Sequence, residues 1–111
     1  MQMKCTVENL PSLRWFFNGS EGAIYFHTLG ATFPPAIELN NPFPGISIQI
    51  INATQGSTSD EINALSLLTA NLSAIQQLRG RSIQCGSNTV KSDAINISDA
   101  TLSKYVHYYC S

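Results

Sequence analysis

A cysteine at position 5, a tryptophan at 15 and a second cysteine at 85 constrain this chain more than anything else in it. Each sits in a short run of alternating apolar and polar residues, the period of a strand with one buried face. Cys5 shares a phase with Val7, Trp15 with Leu13 and Phe17, and Cys85 with Ile83, so all three are expected to point inward. In an oxidising compartment a Cys5–Cys85 bridge closes a loop of about 80 residues, worth about 4 kcal/mol in the chain-entropy model. In a reducing one all the cysteines are thiols, and no Cys-x-x-Cys or Cys-x-x-His pair gives them a metal reading. Cys110 is left over. The alternatives for it are a thiol on a disordered end or a bond to a neighbouring domain.

The remaining organisation is that of a small all-β domain. Lys4 to Glu8 alternates until Asn9-Leu10-Pro11-Ser12 breaks it. Leu13 to Phe17 is followed by Asn18-Gly19, a strong hairpin signal because both residues tolerate positive φ, and Ala23 to Thr28 is the expected return strand. Pro34, Pro35, Pro42 and Pro44 exclude a central strand from Gly30 to Gly45, leaving a long irregular connection. Ile46 to Ile50 alternates cleanly. Asn52 to Asp60 is polar and reads as a loop. Leu65 and Leu67 mark a further strand ending near Asn71. Ser73 to Arg79 is too short for an independent helix and suits a single crossing turn. Strands are expected again at Ser82 to Ser87 and Ala94 to Ser98. The tail from Asp99 to Ser111 fits helix or strand equally, so the domain is drawn as 1–98 with a tail at 99–111.

These pieces together resemble an immunoglobulin-like domain of the divergent V- or I-set kind found in extracellular receptors. Lys4-Cys5-Thr6-Val7 matches strand B and Leu13 to Gly19 strand C. Ala64-Leu65-Ser66-Leu67 with Asn71-Leu72-Ser73 matches strand E and its turn, and Leu78 to Cys85 matches strand F. The resemblance covers about three quarters of the chain. It implies a two-sheet antiparallel sandwich with a Cys5–Cys85 core disulfide and Trp15 as the core aromatic. Two departures stand out. Ile83 occupies the place of the strand-F tyrosine, which is closer to the Gly-x-x-Val-x-Cys variant of invertebrate adhesion receptors. Too few residues precede Cys5 for strand A, so strand A is short or missing and a sheet edge is expected to lie open.

Function follows less directly. Charged residues make up 12% of the 111 and the net charge is -1, which supplies no field for nucleic acid or an anionic membrane. Arg79 and Arg81 are the one tight basic pair and read as solvated turn residues. No apolar run approaches the roughly 18 residues of a membrane helix. The start, Met1-Gln2-Met3-Lys4, lacks the apolar core of a signal peptide, so the chain is either a piece of a longer protein or cytosolic; the rest of the sequence favours a piece of an extracellular or cell-surface protein. Four sequons occur, at Asn18, Asn52, Asn71 and Asn96, where chance gives roughly one or two. Each lies in or beside an expected turn or edge.

His27 and His107 sit in no motif, Ser20 lacks a nucleophile elbow, and Asp60-Glu61 lies in a polar loop. No phosphate-cradling glycine loop is present. The chain therefore reads as a non-enzyme without cofactor or metal. Its expected role is recognition of a protein ligand or a like domain, with Phe16, Tyr25 and His27 as the candidate binding face. The alternatives are a spacer domain or an unrelated small β protein.

Overall fold

The computed structural model describes residues 1–18, 20–26, 36–38 and 44–111. The described strands, in chain order, are β1 (Gln2–Leu10), β2 (Ser12–Phe17), β3 (Ser20–Phe26), β4 (Ala36–Glu38), β5 (Ile46–Gln55), β6 (Ile62–Ala70), β7 (Ser82–Gly86), β8 (Ile95–Asn96) and β9 (Tyr105–Cys110). A helix, α1 (Leu72–Leu78), joins β6 to β7, and a 3₁₀ turn at Asp99–Thr101 precedes β9. The strands form two sheets, ordered β5-β6-β1-β9 and β4-β3-β2-β7-β8. Every pair is antiparallel except β1 with β9, which run parallel. The architecture is thus an all-β sandwich.

Alternation decides which side chains enter the space between the sheets. From β1 these are Met3, Cys5 and Val7; from β2, Leu13, Trp15 and Phe17; from β7, Ile83 and Cys85. The Cys5 and Cys85 sulfurs are bonded across the gap, with the Cα atoms 6.3 Å apart. Trp15 is 1% exposed, and its Nε1–H donates to Ser66 Oγ at 3.0 Å. Ser66 is fully buried on β6, and its own hydroxyl donates to Gln49 O at 2.7 Å. That chain satisfies the one polar atom of the indole, as burial requires.

Some elements depart from expectation. The polar run Asn52–Gln55, expected as loop, continues β5 and pairs with Ile62–Leu65. As an outer strand of its sheet, β5 need not alternate along its whole length. On β6 the inward residues are Ile62, Ala64, Ser66, Leu68 and Ala70, so Leu65 and Leu67 lie on the outer face, half-buried. The crossing turn is a two-turn helix. Asn71 caps it by accepting from Ala74 N at 3.1 Å, and Ala74, Ile75 and Leu78 are buried against the sandwich.

The largest departure concerns the end of the chain. Residues 99–111 are not a separate tail. β9 hydrogen-bonds along β1, with Gln2 beside Tyr105 and Val7 beside Cys110, and Gln2 N donates to Lys104 O at 2.9 Å. The edge of β1 expected to lie open is therefore occupied. Val106, Tyr108 and Cys110 pack inward, and Cys110 is 5% exposed. The disordered terminal thiol is overturned by this register, which places Cys110 in the core.

Candidate functional site

Of the expected binding face, only the side chain of Phe16 lies among the described residues. His27 lies outside the described residues, as does the side chain of Tyr25. Phe16 is 2% exposed and not an open contact residue. Its phase is as expected, opposite to Trp15 and Phe17 and outside the core between the sheets. Part of its cover comes from the chain after β7, which returns to this outer surface. Lys91 bridges to Gly86 and carries its ammonium 4.4 Å from the centre of the Phe16 ring. Gln84 Nε2 holds the same segment by donating to Ser92 O at 3.1 Å. The cation–π contact covers part of the ring face.

The outer face of the other sheet is more open. Register places Lys4 beside Leu67 and His107, and Thr6 beside Leu65 and Tyr109. On β9 the outward residues are Tyr105, His107 and Tyr109, and the two tyrosines are 54% and 74% exposed. They are held in place. The His107 and Tyr109 rings stack with centroids 4.3 Å apart at 29°, and His107 Nε2 lies 2.9 Å from Thr6 Oγ1. The Lys4 ammonium stands 5.9 Å from the Tyr105 ring centre. Aromatic side chains with few rotors and an ordered polar neighbour make inexpensive contact residues, because little entropy is lost when a partner covers them.

Beside this strip, Thr6, Glu8, Asn52, Thr54, Asn63 and Leu65 edge a shallow hollow of 230 Å³. Two irregularities open it. The register slips between Ile50 and Asn52 on β5 and between Val7 and Leu10 on β1, and such bulges bend strands away from a flat sheet. Asn9 adopts a φ of 53° at the second slip and accepts from Ser57 N at 2.8 Å. It so ties the end of β1 to the β5–β6 turn.

The four sequon asparagines are all exposed. Asn18 is the hairpin residue at φ 54°, Asn52 is on β5, Asn96 on β8, and Asn71 caps α1 through Oδ1. Capping leaves the Asn71 Nδ2, the atom that takes a glycan, uncommitted by that bond. Asn52 edges the hollow, which Thr6, Val7 and Glu8 of β1 also line.

Among the described residues the one close grouping of metal-competent side chains is Cys5, Cys85 and Cys110, whose sulfurs lie within 4.8 Å of one another in the core. Cys110 is the free thiol, and burial pushes its pKa up. No described helix is long and apolar enough to cross a membrane. The β9 strip was missed in the sequence because Tyr105, Tyr108 and Tyr109 fit helix and strand alike. Only the neighbouring strand settles which of them face outward. Comparison with protein-family models, with curated proteins and with solved structures returned no match.

Proposed function

We propose that this chain is an extracellular immunoglobulin-like module for protein–protein recognition or adhesion, one domain of a larger secreted or cell-surface protein. The observation that carries this reading is the Cys5–Cys85 bond joining the two sheets beside the buried Trp15. The strand neighbours agree with it. β5-β6-β1 corresponds to D-E-B of that fold, and β3-β2-β7-β8 to C′-C-F-G. The departure is β9, which takes the place of strand A beside B but runs parallel to it. A persistent disulfide suits an oxidising compartment, and the exposed sequons suit glycosylation there.

The contact surface in this reading is the β1–β9 half of the outer face: Lys4, Thr6, Tyr105, His107 and Tyr109. It replaces the Phe16 face, which Lys91 partly covers. Tyrosine-rich rigid strips of this kind supply much of the binding energy in protein interfaces. The test uses beads coated with the secreted, glycosylated chain, scored for clustering and for capture of a panel of extracellular domains. Recognition predicts clustering or capture that the double variant Tyr105→Ser, Tyr109→Ser abolishes with the fold intact. Absence of both, or indifference to the double variant, favours the spacer reading, which the exposure of all four sequon asparagines supports.

A further inference from the structure

The third cysteine is placed where it has chemistry available. Cys110 is 5% exposed, its sulfur lies within 4.8 Å of both disulfide sulfurs, and it reaches to 4.0 Å from the main-chain oxygen of Cys85. A thiol this close to a disulfide is within reach of thiol–disulfide exchange once it is ionised. We infer that the core disulfide is exchangeable: Cys110 displaces Cys5 from Cys85, moving the inter-sheet bond from β1 to β9.

Register selects this product. Cys5 stands beside Tyr108, so Cys110 is two residues out of step with it on the neighbouring strand. With strands about 4.8 Å apart and a rise of about 3.3 Å per residue, the Cα atoms of Cys5 and Cys110 are about 8 Å apart. That exceeds the reach of roughly 7 Å for a disulfide. Cys85 lies on the opposite sheet, and Cys110 faces it across the gap as Cys5 does. The step balances without any other reactant. Cys110 gives up its thiol proton to solvent base and its thiolate attacks Cys85 Sγ. The Cys85–Cys110 bond forms as the Cys5–Cys85 bond breaks, and the electron pair leaves on Cys5 Sγ, which takes a proton.

The consequence is control of an edge. With Cys5–Cys85 bonded, no cross-link ties β9 to the sandwich. When it detaches, the β1 edge becomes a template for another strand. With Cys85–Cys110 bonded, β9 is clamped over that edge.

The full oxidised chain is held at pH 9 under anaerobic conditions without added thiol, then acid-quenched at intervals, alkylated with N-ethylmaleimide in denaturant and digested with trypsin. The three cysteines fall in separate peptides, 5–14, 82–91 and 105–111. Exchange predicts that label starts on 105–111 and appears on 5–14, matched by an 82–91/105–111 cross-link. Its rate stays constant over a tenfold range of protein concentration. The purified isomer is expected to exchange amide hydrogens across 105–110 at least tenfold more slowly. Label confined to 105–111, while a urea-unfolded control scrambles, overturns the inference; so does a rate that rises with protein concentration. An isomer whose β9 amides exchange no more slowly overturns the clamp.

Discussion

Trp15 shows how a single buried residue depends on its partner. Ser66 is the acceptor for the indole N–H, so Ser66→Ala leaves that proton buried and unbonded, at a cost of about 1–3 kcal/mol. The midpoint of urea unfolding, followed by Trp15 fluorescence, is expected to fall accordingly. Gly86 is constrained differently. Its φ is 138°, and a Cβ there would lie 2.1 Å from Val90 O. Gly86→Ala is therefore expected to displace the segment that carries Lys91, which unfolding midpoints and alkylation of Cys110 in the folded state will register. That Trp15 is core could be seen in its phase with Leu13 and Phe17. The need for Ser66 could not, because nothing local marks one serine among many as the residue opposite an indole.

At the scale of elements, β9 is the decisive case. Its sequence left helix and strand open, and only pairing with β1 fixes it. Removing residues 105–111 uncovers the β1 edge, so the truncated chain is expected to lose stability and to self-associate. Light scattering against concentration tests this; a monomer of unchanged stability contradicts it. Burial raises the Cys110 pKa, which means the folded state favours the neutral thiol. The resulting stabilisation is fully present below the ordinary thiol range near about 8.5 and is lost as pH rises through the folded value. Wild type is thus expected to lose stability relative to Cys110→Ala between pH 7 and pH 10 in parallel urea titrations. Phe16 teaches a complementary lesson. Its phase sets it outside the core between the sheets, but part of its cover comes from Lys91, a residue 75 positions away in sequence.

For the whole molecule, the inward placement of Cys5, Trp15 and Cys85 was legible because a half-buried strand writes its face into alternating residues. The long β5, the filled edge and the buried third cysteine were not, since an outer strand can be polar on both faces and a terminal strand takes its register from a distant partner. One covalent bond, Cys5–Cys85, joins the two sheets and leaves Cys110 as the thiol. Disulfide mapping of the chain secreted from eukaryotic cells, alkylated in denaturant at pH 6 before reduction, tests it most directly. The expected result is one alkylated cysteine, in peptide 105–111, and a reducible link between peptides 5–14 and 82–91. Three alkylated cysteines in a folded protein, or a link between 5–14 and 105–111, would contradict it.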